Sequence, residues 1–323
     1  MEPVKQLKII LIIDKNYIFY IYTINLIKMK NLIIVTGGSG FVGTNLIKYL
    51  LKKTRYKIIS YDNYSSGLKK NHIKDKRIKY LKANTKEISK ILHKQKHNII
   101  ALFHFGEFSR IYQSFLKMEE CIESNSVGSN AVFNFCMKNK IKLIYSATSA
   151  TLGDNGRDKN LSPYAFTKSK NLEMLNNLKK WFNFKFEIIY FYNVYGPHQI
   201  CNGDMATVIG IFEEHYKKNK PLPIVKPGTQ SRRFTHIDDT IKVCYQAWKA
   251  NKLRHYSISN KESFSIIEVA KIFQSKIQYL PKREGERFSS ALTNTNLSNK
   301  VYKIFGKIKL REYVKNFKKN LKN

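Results

Sequence analysis

"LIIVTGGSGFVGTNLIKYLL", residues 32–51, passes from an unbroken apolar run through a cluster of glycines straight into an apolar pattern of helical period. The run has the length of a strand buried on both faces, and residues 41–52 space their apolar side chains along one helix face. The glycines fit T-G-x-x-G-x-x-G, with Gly37, Gly40 and Gly43 at the fixed places. Gly37 permits a tight strand-to-helix turn, Gly40 lets the backbone approach a pyrophosphate, and Gly43 lets helix and strand pack closely. Phosphates would then meet free N–H groups at the helix start, where Phe41 and Val42 stand. About 20 residues further on, "ISYDNYSSG" closes a second apolar run with Asp62 and Asn63. A carboxylate there can accept hydrogen bonds from an adenosine ribose and would repel a 2′-phosphate, so the expected ligand is NAD rather than NADP.

Working outward, short apolar runs at 57–61, 78–81, 99–105, 142–146 and 186–191 alternate with helix-period stretches such as 118–138. Such alternation implies βαβ units and a buried parallel sheet with right-handed crossovers. After Pro197 the texture changes to loops carrying Pro221, Pro223, Pro227 and Gly228, followed by shorter helices. The expected fold is α/β: a doubly wound parallel sheet over residues 29–192, which binds the dinucleotide. Residues 193–323 form a smaller α/β region mainly for substrate, with parts returning to the sheet. Internal repeats and a long linker are absent from the sequence.

The first 28 residues are apolar but broken by Asp14, Lys15 and Asn16, so neither half is long enough to span a bilayer. No small-residue cleavage site follows. A membrane-associating leader is one reading; the favoured one is a start at Met29, because "MKNLIIVTGG" opens the first strand cleanly. With 323 residues, 43% of them hydrophobic, the chain can bury a large core. Cys121, Cys136, Cys201 and Cys244 show neither CxxC nor zinc-ligand spacing and read as reduced thiols of a cytoplasmic protein without a metal. The net charge of +35 is spread along the whole chain, which argues against a specific nucleic-acid footprint.

"SPYAFTKSK" supplies Tyr164 and Lys168 at i and i+4, on one face at the start of a helix. There Lys168 can favour the phenolate form of Tyr164 and hold a nicotinamide ribose, making the phenol a usable base toward a sugar hydroxyl. "LIYSATSATLGD" ends a strand in small hydroxyl residues, of which Thr148 or Ser149 can bond the same substrate oxygen.

Taken in order, "VTGGSGFVGTNL", "YDNYSSG", "LFHFGEFSR", "ESNSVGSNAV", "YSATSATLGD", "SPYAFTKSK", "YFYNVYGP", "SRRFTHIDD" and "PKREGER" resemble the extended short-chain dehydrogenase/reductase family, in particular its nucleotide-sugar epimerases and dehydratases. The resemblance runs from about Met29 to the C-terminus. It implies a Rossmann fold, NAD as cofactor, a homodimer and a Ser/Thr–Tyr–Lys triad. Counting back from Gly153 in the family pattern places the hydroxyl at Thr148, with Ser149 as a second choice beside the substrate. It further implies cofactor contacts from Phe105 and Asn84, and from Asn125, which supports the active-site backbone. Asn193 falls near the sugar diphosphate, and Arg232 and Arg283 clamp it. The positive field of the chain would help to draw in such a dianionic substrate.

Departures from the family pattern narrow the reaction. Dehydratases carry an acidic residue just after the catalytic hydroxyl, where this chain has Ser149 and Ala150. Glu107 replaces a small residue of the nicotinamide pocket, and the stretch between Thr148 and Tyr164 is short. The expectation is an epimerase of the UDP-glucose/UDP-galactose 4-epimerase type, of the kind that serves cell-surface polysaccharide synthesis. "CNGDMATVIG" is also similar to the loop of ADP-heptose epimerases, which leaves the base open. A 4,6-dehydratase, a 4-keto reductase and a catalytically inactive NAD-binding scaffold are the rival readings.

Overall fold

The computed structural model describes residues 30–283 and 301–321; the reading of residues 1–28 lies outside them. Eight strands form one parallel sheet: β1 (Leu32–Thr36), β2 (Lys57–Asp62), β3 (Ile78–Lys82), β4 (Ile99–His104), β5 (Lys142–Thr148), β6 (Phe186–Phe191), β7 (His255–Ser259) and β8 (Val301–Phe305). Their order is β8-β7-β6-β5-β4-β1-β2-β3. The chain therefore leaves β1 toward β2 on one side and returns to β4 on the other. That reversal opens a crevice at the carboxyl ends of β1 and β4.

The long helices are α1 (Phe41–Lys53), α2 (Ser129–Lys138), α3 (Pro163–Phe182), α4 (Val208–Lys217), α5 (Ile237–Ala250), α6 (Ile266–Phe273) and α7 (Leu310–Asn320). Both faces of the sheet are covered. Ile33 and Val35 point toward Leu46, Ile47 and Leu50 of α1 and Ile241 and Cys244 of α5. Ile34 points the other way, into a core shared with Val132 and Phe133 of α2 and Leu175 of α3. Burial on both faces is why the strands read as continuous apolar runs rather than alternating ones. A third core, with Phe212 of α4, Val269 and Phe273 of α6 and Val314 of α7, holds the smaller C-terminal elements together.

Several element bounds differ from the sequence reading, and three of the differences bear on the site. Strand β4 stops at His104 because the Thr36 hydroxyl accepts the N–H groups of Phe105 and Gly106, both at 3.1 Å. Strand β5 runs on to Thr148, paired with Phe191. The helix expected over 118–138 is divided: Met118–Ile122 is followed by a π-helical turn, Glu123–Gly128, before α2 begins. Within that turn Ser124 Oγ and Asn125 Oδ1 accept the Phe108 N–H, so the wide turn anchors the loop after β4. No helix among the described residues is long and apolar enough to cross a membrane.

Candidate active site

The glycine turn lies at the carboxyl end of β1. Gly37 has φ +65°, and a Cβ there would stand 2.8 Å from the backbone of Phe105 and Gly106. A Cβ on Gly43 would come within 2.1 Å of the Gly37 carbonyl oxygen, so helix and turn touch only because no side chain intervenes. Gly40 is the N-cap of α1 and supplies no side-chain cap. The first N–H groups of α1 are thus left for a ligand. Across the turn, Asp62 accepts the Ser39 N–H at 2.9 Å and the Tyr64 N–H at 2.7 Å. Burial raises its carboxyl above the usual range, although these N–H groups pull the other way.

A cavity of about 650 Å³ opens from this turn. Its wall includes Gly37, Gly40, Phe41, Val42, Gly43, Asp62, Asn63, Asn84 and Phe105 at one end. Thr148, Ser149, Tyr164, Lys168, Asn193, Arg232 and Arg283 also line it. Residues far apart in sequence are therefore brought to one space. Asn125 is the exception and corrects its expected contact with the cofactor. It is fully buried behind the wall, with both ends of its amide bonded to the Phe108 backbone at 2.7 and 3.1 Å.

Tyr164 and Lys168 occupy the first turns of α3, which Ser162 caps by accepting the Ala165 N–H at 3.1 Å. Lys168 is buried and forms an ion pair with Glu107, and it donates to the Ser146 carbonyl at 2.5 Å. Its ammonium also lies 4.7 Å from the Tyr145 ring centre. The other oxygen of Glu107 accepts from Ser129 Oγ (2.7 Å), Tyr145 OH (3.0 Å) and Asn171 Nδ2 (3.1 Å). Behind Ser129 stands His104, bonded through Nε2 to Ser129 Oγ at 3.0 Å and through Nδ1 to Thr36 Oγ1 at 2.7 Å. Burial lowers the His104 pKa to about 4. Glu107 thus lines the cavity while its charge is spent on Lys168.

The model of the "NAD dependent epimerase/dehydratase family" matches residues 33–259. The chain belongs to this family. Among curated relatives, it is 28% identical over 229 residues to the uncharacterized UDP-glucose epimerase YtcB of Bacillus subtilis, covering 65% of this chain and 70% of that one. It is 27% identical over 259 residues to the ADP-L-glycero-D-manno-heptose-6-epimerase of Brachyspira hyodysenteriae, covering 74% and 79%. The fold is similar to that of the Thermotoga maritima UDP-glucose 4-epimerase solved with UDP-glucose. There the TM-score is 0.77 at 22% identity, over 90% of this chain and 99% of that one.

As a member of the NAD dependent epimerase/dehydratase family the chain uses NAD, and the cradle fits it. The side-chain-free turn at Gly37–Gly40–Gly43 leaves room and N–H donors for a pyrophosphate. Asp62 ends β2 beside the turn and lines the cavity, where its carboxylate could accept from a ribose. On the opposite wall Asn193, with φ +37°, donates to the Arg233 carbonyl at 2.8 Å, and Arg232 sits in the short strand Ser231–Arg233. Arg283 lies over the Tyr112 ring, 5.0 Å from its centre. Sequence reasoning missed Arg110, which also lines the cavity, and the support that Tyr145, Asn171 and Ser129 give to Glu107. The signal for Arg110 was position: "FGEFSR" follows β4 directly.

Proposed function

We propose that the protein is an NAD-dependent epimerase of a nucleotide-diphosphate sugar that acts at C4, with residues 29–192 serving the cofactor and 193–323 mainly the substrate. The observation that carries this reading is the convergence of Thr148, Tyr164 and Lys168 on the cavity, next to a carboxylate, Glu107, already occupied by four donors. A carboxylate so bonded is a poor general acid for expelling water, and Ser149 and Ala150 offer no other acid at that place. NAD, when bound, supplies a reversible hydride acceptor.

Tyr164 takes the proton of the C4 hydroxyl as hydride leaves C4, and Thr148 hydrogen-bonds the same oxygen. Lys168 would hold the nicotinamide ribose with the ammonium hydrogen left over from Glu107 and Ser146. Arg232 and Arg283 grip the diphosphate, with Asn193 and Ser149 at the sugar, while the 4-keto sugar turns its other face to the cofactor. Tyr164 then returns the proton to the oxygen as the hydride comes back to C4 on the opposite face. The UDP-glucose epimerase and ADP-heptose epimerase relatives support the class and leave both the base and the sugar open. UDP-glucose and UDP-galactose are the reference pair.

We also propose a homodimer. Leu116, Met118, Ile122 and Phe166 expose apolar side chains on neighbouring turns of Ile111–Leu116, Met118–Ile122 and α3. The four cysteines are free thiols, which suits the cytoplasm. The function is tested by incubating the protein and NAD with UDP- and ADP-hexoses and resolving the products by mass and NMR. Interconversion of C4 epimers without net NADH consumption is expected. Release of a keto-deoxy sugar would make it a dehydratase, and stoichiometric NADH use a reductase.

A further inference from the structure

Arg110 stands immediately ahead of the Ile111–Leu116 turn and lines the cavity. Its Nε and Nη2 donate to the Met205 carbonyl at 2.9 and 2.5 Å, and Nη1 donates to the Ser109 carbonyl at 3.0 Å. All these acceptors are neutral, and among the described residues no carboxylate pairs with Arg110. The three lysines of the wall are each matched by a carboxylate: Lys86 with Glu123 at 2.6 Å, Lys117 with Asp204 at 3.0 Å, and Lys168 with Glu107. Burial works against the Arg110 charge. A part-buried guanidinium facing carbonyls alone is costly, and an anionic ligand would recover that cost.

The position of Arg110 is fixed by the same turn that fixes Tyr164. Its carbonyl accepts the Ser114 N–H at 3.2 Å, and Ser114 Oγ accepts the Tyr164 N–H at 3.2 Å. Met205, whose carbonyl holds the guanidinium, packs with Ile111 against the cluster containing Tyr164. Arg110 thus belongs to the end of the cavity where the sugar reacts. Of its five N–H groups three are used, leaving one on Nη1 and one on Nη2, a fork that matches the two oxygens of a carboxylate. Arg232 and Arg283 already answer the two charges of the diphosphate, so a third arginine at the sugar end calls for a third anionic group.

We propose that the substrate is a nucleotide-diphosphate sugar bearing a carboxylate, of the hexuronic acid class, and that Arg110 binds that carboxylate. The proposal rests on the epimerase reading above. The test compares UDP-glucuronate with UDP-glucose, and the ADP forms of both, on the NAD-loaded full chain, by direct titration and by turnover. Wild type is expected to favour the acidic sugar by about 10–100-fold in affinity and in kcat/KM, the range for a hydrogen-bonded charge pair. Arg110→Gln should remove that preference, and Arg110→Lys, which keeps the charge but loses the fork, should fall between. Absence of any preference for the acidic sugar in wild type overturns the proposal. So does an equal loss of both sugars in Arg110→Gln, which would make Arg110 a clamp on residues 201–207 only. Failure of the epimerase reading is distinct: the acidic sugar then still binds more tightly, and no C4 epimer forms.

Discussion

Lys168 has three ammonium hydrogens, and Glu107 and Ser146 take two of them. The third is left for the cavity, so the lysine is aimed before any ligand arrives. On this account Tyr164→Phe should keep NAD bound and cut turnover by orders of magnitude, since the base is gone and the glycine turn is untouched. Thr148→Ala should cost about 10–1,000-fold in kcat, the range for a hydrogen bond that strengthens in the transition state. Steady-state kinetics with a parallel NAD titration checks both. Glu107→Ala strands the Lys168 ammonium in a buried site and should destabilise the protein by about 3–5 kcal/mol in denaturant unfolding. Stability unchanged by that substitution would mean that the pair is not formed. Tyr164 and Lys168 were legible in the sequence because their relation is local, one helical turn apart. The direction of Glu107 was not, because its partners Ser129, Tyr145 and Asn171 come from three different elements, and Arg110 was hidden for the same reason.

At the scale of elements, the ends of β1 and β4 and the start of α2 are joined by one directed hydrogen-bond chain. Thr36 Oγ1 accepts two backbone N–H groups, so its own hydrogen goes to His104 Nδ1. His104 Nε2 then donates to Ser129 Oγ, and Ser129 donates to Glu107. This arrangement requires a neutral imidazole, in keeping with the pKa of about 4 that burial imposes. Because the folded value lies below the ordinary value of about 6.5, the unfolded chain binds the proton first as pH falls. The stabilisation is therefore complete above about pH 6.5 and is lost toward pH 4. Between pH 7 and pH 4.5 the wild type should lose about 2–3 kcal/mol more than His104→Gln, read from denaturant unfolding of both at each pH. Equal losses would remove His104 from this role. The glycine turn was readable because Gly40 and Gly43 meet constraints within the turn itself, while Gly37 adds a positive φ to its contact with Phe105 and Gly106. The break of 118–138 was not, because it depends on Asn125 and Ser124 reaching the loop at Phe108.

For the whole molecule, six of the eight strands followed from the apolar runs, since burial within the sheet leaves its mark on them. How β7 and β8 join its edge was less visible, because β8 exposes Tyr302 and Phe305 and lacks the apolar run of a central strand. The exposed apolar strip of α3 and the turns beside it predicts a dimer by light scattering. Met118→Glu with Phe166→Glu should yield a monomer, and an unchanged mass would place any dimer contact elsewhere. The central claim, reversible oxidation at C4 within one closed site, is tested most directly by following the hydrogen on that carbon. With a nucleotide sugar carrying deuterium at C4, turned over in ordinary water with bound NAD, the account predicts an inverted C4 that keeps its deuterium and takes none from solvent. Loss of the C4 deuterium to water, or a product that has shed a hydroxyl and gained solvent hydrogen at C6, would contradict it.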